Sequence, residues 1–324
     1  MRVYVKTPSR LHLGVIDPTG GLGRIYGSVG VAIDEPNVIL EASPNPQLSV
    51  VGEQAEPVEA AAKRFLKFHG LKAGAHIHVR RMIPQHVGLG SGTQLSLAVA
   101  SALAKLFGIK ASARELATVT GRGSVSGIGT AAFEGGGFIV DGGHRLHEGR
   151  NVISASAVPP LIIRWRFPEN WFFVVAIPRV ERGLSGEAER SAFKTLREKT
   201  AKSSGEICRL ILMKMLPALE ERNLEAFGDS LTRVQRLVGE TFRPLQGGTF
   251  SDPAGASCIR FMLREGAYGA GQSSWGPTVY GLVQGREAAE ALKEKVKQFI
   301  SQGAGGQVFY AVANKRGAYI RVFK

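Results

Sequence analysis

The sequence predicts an α+β chain of two domains, on three observations. Through the first 165 residues, short apolar alternations and glycine-rich turns are interleaved with helical spacings. A run of helical periodicity then fills 185 to 240, and the remainder reads as helix, strand, strand, helix, strand, strand. At 324 residues, 44% of them hydrophobic, the chain can bury one large core or two smaller ones. Pro159-Pro160 ahead of one apolar run and Pro168 inside the next put the seam near 160 to 185, which gives domains at 1–165 and 166–324.

The elements follow in order. Val3 and Val5, then Leu11, Leu13 and Val15, alternate with the period of a strand, and Val29 to Ile33 gives another. The opening shows no charged segment leading into an apolar core, so a cytoplasmic protein is expected. Helices are expected at about 57 to 69, 94 to 107 and 112 to 121, with a strand-like run from Ile77 to Ile83. Past the seam, the apolar run Trp171 to Ile177 stops at Pro178, far short of a membrane span. Helices at about 185 to 200, 203 to 219 and 223 to 240 come next. The last section places helices at 255 to 265 and 286 to 300, and strands at 267 to 273, 277 to 284, 307 to 313 and 317 to 323, a split β-α-β sandwich in outline. Cys208 and Cys258 are too few for a disulfide scaffold or a zinc site.

The formal charge of +14 suits a polyanionic partner of some kind. Its densest stretch, Arg179 to Lys202, has no aromatic interleaving and no nucleic-acid motif. A solvated helix face and a basic rim around a phosphorylated substrate both fit it; neither nucleic acid nor membrane is expected as a partner.

Chemistry concentrates in three glycine clusters. Pro84 to Thr93 reads Pro-Gln-His-Val-Gly-Leu-Gly-Ser-Gly-Thr and joins a strand to an amphipathic helix. Gly88, Gly90 and Gly92 let the backbone bend into a nest of amides around Leu89, and the helix that follows aims its positive end, with Ser91 and Thr93, into the same space. An anion is the expected guest; a merely capped turn needs one glycine, not three. The spacing fits neither the dinucleotide nor the Walker pattern. The second cluster runs Gly266 to Pro277: Gly269 and Gly271 permit close approach, Gln272, Ser273 and Ser274 offer neutral donors, and Trp275 offers a flat face for an aromatic ring or a core anchor for a tight hairpin. In the third, Gly121 to Phe138, Arg122 is either a phosphate or carboxylate fork or a solvated residue after a helix end. Arg10 and His12, two apart on a strand, face one side and are candidate catalytic residues lining a cleft, though His12 reads equally as a core histidine. Asp17 and Arg24 flank a glycine-rich bend, as catalytic groups or as a structural pair. His76 and His78 read as surface residues, and Glu134 and Asp141 as solvated turn acids in preference to metal ligands.

Three motifs resemble those of the GHMP kinase superfamily, named for galactokinase, homoserine kinase, mevalonate kinase and phosphomevalonate kinase. Thr7-Pro8-Ser9-Arg10-Leu11-His12-Leu13-Gly14 is similar to its first motif, Pro84 to Thr93 to its second, and Gly269-Ala270-Gly271 with the serines after it to its third. The resemblance implies an N-terminal domain with a left-handed βαβ unit, a ferredoxin-like C-terminal α/β sandwich and a phosphate-rich ligand in the cleft between them.

The departures from the kinases are as informative. Several of those kinases carry Pro-Ser-Gly-x-Asp, whose aspartate helps activate the attacking hydroxyl; the similar stretch here, Val125-Ser126-Gly127-Ile128-Gly129, puts glycine at that place. Together with Asp17, Arg24 and the stretch from Gln272 to Pro277, this resembles a non-kinase branch, the β-ribofuranosylaminobenzene 5'-phosphate synthases of tetrahydromethanopterin biosynthesis. The resemblance implies a decarboxylating phosphoribosyl transfer: 4-aminobenzoate or 4-hydroxybenzoate condenses with phosphoribosyl pyrophosphate, and carbon dioxide and pyrophosphate leave. It also implies Mg²⁺ or another divalent cation, no organic cofactor and a homodimer. Asp17 would stabilise the cationic ribose or meet the metal, Arg24 would hold phosphate or carboxylate, and Gly88 to Thr93 with Arg122 would hold the diphosphate. The metal ligands stay unassigned. An ATP-dependent small-molecule kinase is the alternative, and the acidic Asp-Asp/Thr-Gly-Gly-Thr signature of ordinary phosphoribosyltransferases is absent.

Overall fold

The computed structural model describes residues 1–147, 157–180 and 203–324; the helix expected at 185 to 200 and most of the basic stretch from Arg179 to Lys202 lie outside them. The first sheet has the order β14-β1-β4-β6-β5, built from β1 (Arg2–Lys6), β4 (Ile39–Asn45), β5 (Ser49–Gly52), β6 (Gly74–Arg81) and β14 (Tyr319–Phe323). β5 and β6 run parallel, joined through α1 (Ala55–Phe68) as a β-α-β unit, while the other neighbours pair antiparallel. The second sheet is β2 (Ser9–Asp17), β3 (Arg24–Ile33), β7 (Phe138–Asp141) and β9 (Leu161–Trp165), with the short β8 (His144–Arg145) on β3. Between the layers lies α2 (Ser91–Leu106), buried almost all round because Ala98, Ala100, Ala102 and Ala104 let its neighbours approach closely.

The C-terminal sheet has the order β11-β12-β10-β13, from β10 (Trp171–Pro178), β11 (Gly269–Gln272), β12 (Val279–Gln284) and β13 (Gly306–Val312), all antiparallel. Read from β13 in chain order this is 4-1-3-2, the ferredoxin-like arrangement, with α8 (Pro253–Arg264) and α9 (Arg286–Ser301) as its two helices. A helical insertion precedes α8. It comprises α5 (Ser204–Leu210), a π-helical turn (Ile211–Met215), α6 (Leu216–Glu220) and the long α7 (Leu224–Gln246). α7 lies against both β11 and β2 and so bridges the two halves. Among the described residues, no helix is long and apolar enough to cross a membrane.

Three elements differ from expectation. The strand expected to complete the C-terminal sandwich is β14, and it crosses over to pair with β1, from Arg2↔Phe323 to Lys6↔Tyr319. The turn before it is responsible. Asn314 O accepts from Gly137 N (2.7 Å), Asn314 Oδ1 from Gly317 N (2.7 Å), and Ala318 N donates to Phe133 O (2.7 Å), so the chain is pinned to the other domain. Second, residues 128 to 135, which read as glycine-rich loop, form α4 (Ile128–Gly135). Its glycines are there for close packing: a Cβ on Gly129 would lie 3.0 Å from Thr93 Cγ2. Third, α7 continues beyond residue 240 to Gln246 and ends at the left-handed Gly247 (φ 77°).

Candidate active site

The three glycine-bearing motifs that resemble one superfamily meet in space, and the contacts are backbone-deep. Arg10 N donates to Leu89 O (3.2 Å), and the Arg10 guanidinium donates to Gly88 O. Ser273 Oγ donates to the same Gly88 carbonyl (2.6 Å) and accepts from His12 N (2.9 Å), while Ser274 N donates to His12 O (3.2 Å). Only glycine fits at 88, because a Cβ there would stand 2.3 Å from Ser273 O. Gly88 and Leu89 thus spend their carbonyls on fastening the loop, and Leu89 itself is buried.

Amide donors remain at the start of α2. Its N-cap, Gly90, is left-handed (φ 79°) and no side chain caps the helix; Gly90 O takes only the amides of Thr93 and Gln94. Arg122 stands over this turn. A Cβ at Gly92 would come within 3.0 Å of Arg122 Nη1, and Arg122 Nε donates to Ser96 Oγ (3.0 Å). Arg122 has no acidic partner among the described residues, and burial, with the neighbouring Arg64 charge, pulls its pKa down from the ordinary value. Concentrated positive charge beside uncapped helix amides has the chemistry to take an anion.

That turn opens on a cavity of about 240 Å³. Its polar lining includes Thr93, Arg122, Ser126, Arg10, His12 and Gln272. Leu11 and Leu13 point into the core, so Arg10 and His12 fall on the cavity side of β2 by simple alternation. Burial, reinforced by the Arg10 charge, drives the His12 pKa down to about 3, so its imidazole is neutral. The rest of the wall is apolar: Val15, Val238, Phe242, Phe250 and Trp275. Trp275 is 6% exposed and meets Phe242 edge-on (4.9 Å between centroids, 89°), so it is a core anchor and a cavity wall at once.

α7 supplies what the sequence reading missed: Gln235, Val238, Phe242 and Gln246. Gln235 is fixed between the halves, with Nε2 donating to Leu13 O and Oε1 accepting from Gln272 N (2.7 Å). Gly271 gives it room, since a Cβ there would come within 2.4 Å of Gln235 Cγ. Two glutamines at helical spacing within an otherwise apolar stripe were the available signal.

Asp17 and Arg24 are not brought to the cavity wall. Asp17 Oδ1 accepts from Thr19 N (2.8 Å), Thr19 Oγ1 (2.6 Å) and Ser204 Oγ (3.1 Å), an aspartate turn at the end of the β2–β3 hairpin. Arg24 donates to Gly142 O (2.8 Å) and Gly143 O (2.9 Å) and forms no ion pair with Asp17. Glu134 is paired to Arg164 (2.6 Å). Asp141 is not a solvated turn acid: it is 2% exposed, accepts from Gly127 N (2.8 Å), Gly143 N (2.9 Å) and Ser126 Oγ (3.2 Å), and burial pushes its pKa up to about 6.

Among the described residues, the cavity wall carries no Asp or Glu and no group of three His, Cys, Asp or Glu side chains lies together, so those residues alone do not fit a resident divalent cation.

Comparison with known proteins decides the family. The GHMP kinases N terminal domain matches residues 56–137 and the GHMP kinases C terminal matches 215–302. The chain is 38% identical to the beta-ribofuranosylphenol 5'-phosphate synthase of Methanothermobacter thermautotrophicus, over 99% of both chains. The chain belongs to this synthase family, within the GHMP kinase superfamily. The protein of the same name from Archaeoglobus fulgidus is 37% identical, covering 98% of this chain and 99% of its own. The mevalonate kinase of Methanococcus jannaschii shares the fold at a TM-score of 0.65 and 15% identity, over 96% of this chain and 98% of its own.

Proposed function

We propose that the chain is a pentosyltransferase that condenses 4-hydroxybenzoate or 4-aminobenzoate with phosphoribosyl pyrophosphate, yielding a β-ribofuranosyl arene 5'-phosphate, carbon dioxide and pyrophosphate in tetrahydromethanopterin biosynthesis. The observation that carries this reading is full-length likeness to two phenol-named synthases, on a site whose wall carries two arginines and three aromatic rings. Loss of pyrophosphate leaves cationic character on the ribose carbon, and the amides of the α2 turn with Arg122 would take up the negative charge of the leaving group. The para substituent pushes electrons to the ring carbon bearing the carboxylate. That carbon attacks the ribose, and decarboxylation restores aromaticity. A wall made by Phe242, Phe250 and Trp275 suits holding the ring in place, so positioning does most of the work.

The finer parts of the reading are also proposals. A divalent cation such as Mg²⁺ would arrive with the substrate diphosphate, and the chemistry needs no organic cofactor. Phosphoribosyl pyrophosphate is a polyanion that does not cross bilayers, which puts the enzyme in the cytoplasm. A homodimer follows from family likeness. The kinase alternative loses ground at Gly129, where Thr93 fills the space an aspartate would need. The test is to mix the purified protein with carboxyl-labelled 4-hydroxybenzoate or 4-aminobenzoate and phosphoribosyl pyrophosphate. Labelled carbon dioxide and pyrophosphate should appear in equal amounts without ATP; ATP-dependent phosphorylation of an alcohol, with no decarboxylation, would overturn the reading.

A further inference from the structure

His12 is a titratable side chain of the cavity to which the proposed chemistry gives no role. It is 7% exposed, borders the cavity, and its ring nitrogens have no partner among the described residues. Ring nitrogens that border a cavity without a protein partner are open to hydrogen bonding with whatever occupies it. The backbone of the same residue is held on both sides, by Ser273 Oγ on its amide and by Ser274 N on its carbonyl. The imidazole is therefore carried on a fixed strand beside Trp275, and the Arg10 guanidinium two residues away on the same face opposes its protonation in the resting enzyme.

We propose that His12 is a catalytic residue that accepts the para-hydroxyl proton of a 4-hydroxybenzoate ring as the ring attacks the ribose, and returns it after decarboxylation. This rests on the transferase reading above. As the carboxylate-bearing carbon bonds to the ribose carbon, the bond to pyrophosphate breaks and positive charge spreads to the para oxygen. Its proton passes to an imidazole nitrogen, leaving a neutral dienone. The bond to the carboxylate then breaks, its electron pair enters the ring, and carbon dioxide departs. The dienone oxygen becomes phenolate and takes the proton back from the imidazolium. A weakly basic imidazole suffices, because the proton is offered only once the oxygen carries positive charge. A para-amino group makes no such demand: its nitrogen can hold the positive charge as an iminium and keep its protons.

The experiment compares wild type, His12→Asn and His12→Ala on both benzoates, with carbon dioxide release as readout. Each variant should lose at least about 100-fold in kcat on 4-hydroxybenzoate and less than about tenfold on 4-aminobenzoate, the range for removal of a general base. Added imidazole should restore H12A on the hydroxy substrate, and wild-type turnover of that substrate should show a solvent deuterium effect that H12N lacks. Equal losses on the two benzoates, unchanged turnover of 4-hydroxybenzoate in either variant, or a wild type that accepts only 4-aminobenzoate would overturn the assignment. If both variants fail to fold, the wild-type enzyme decides: a solvent effect larger on the hydroxy substrate supports the role, and equal effects refute it. A wild type that decarboxylates neither benzoate fails the transferase reading itself, a result distinct from all of these.

Discussion

At the scale of single residues, Asp141 shows how a buried charge is retained at a cost. Its carboxylate fastens Gly127 and Ser126, and Ser126 borders the cavity together with Arg122 from the same loop. Burial raises its pKa from 3.8 to about 6, so the folded protein binds the proton more tightly than the unfolded chain does. The stability this provides is complete below pH 3.8 and is lost as the pH rises through about 6, on the order of 3 kcal/mol for a shift of that size. Asp141→Asn carries no such dependence. Denaturant melts at pH 4 and pH 7 should therefore show wild type losing stability relative to D141N across that interval, while D141N has weakened activity at both pH values because an amide has one accepting oxygen and cannot accept from both Gly127 N and Gly143 N. Parallel stability curves for the two proteins would mean that Asp141 is ionised throughout.

At the scale of elements, α2 and α4 were read from sequence with opposite success. Residues 94 to 107 are apolar at helical spacing and the turn before them is spelled out in glycines, so α2 and its uncapped start were legible. α4 was not, because Gly127, Gly129 and Gly135 carry low helix propensity and the packing that favours them is long-range. The same blindness hid the role of Gly129. Its carbonyl accepts from Gln94 Nε2 (2.8 Å), and Thr93 occupies the space where a side chain would grow. Thr93, Gln94 and Gly129 are thus one packing unit. Gly129→Asp should consequently fail to create phosphoryl transfer. It should instead destabilise the protein by roughly 1–3 kcal/mol, the usual cost of overpacking, with no ATP consumption above background. A stable G129D that phosphorylates an alcohol would show that α4 can shift and that the missing acid alone separates this chain from the kinases.

At the scale of the whole molecule, prolines in the sequence suggest a seam between domains, and the interlocking across it was not legible. β14 leaves one half to pair in the other, and α7 lies on strands of both, contacts set by partners far apart in sequence. The main core is continuous across the seam, taking Leu11, Val31 and Phe138 from one side and Trp171, Phe173 and Phe227 from the other. The cavity forms only because of this, since β2, α7 and the strand ending at Gln272 each give it a wall. Gln235 is the polar rivet, and replacing it with Leu would leave Leu13 O and Gln272 N buried without partners. Each such loss costs about 1–3 kcal/mol. Q235L should accordingly lower the denaturation midpoint, and far-UV dichroism and fluorescence from Trp165, Trp171 and Trp275 should still trace one transition in both proteins, because the main core is shared by the two halves. Two separate transitions in Q235L would show that the halves fold independently and that the cavity is assembled by docking of finished domains.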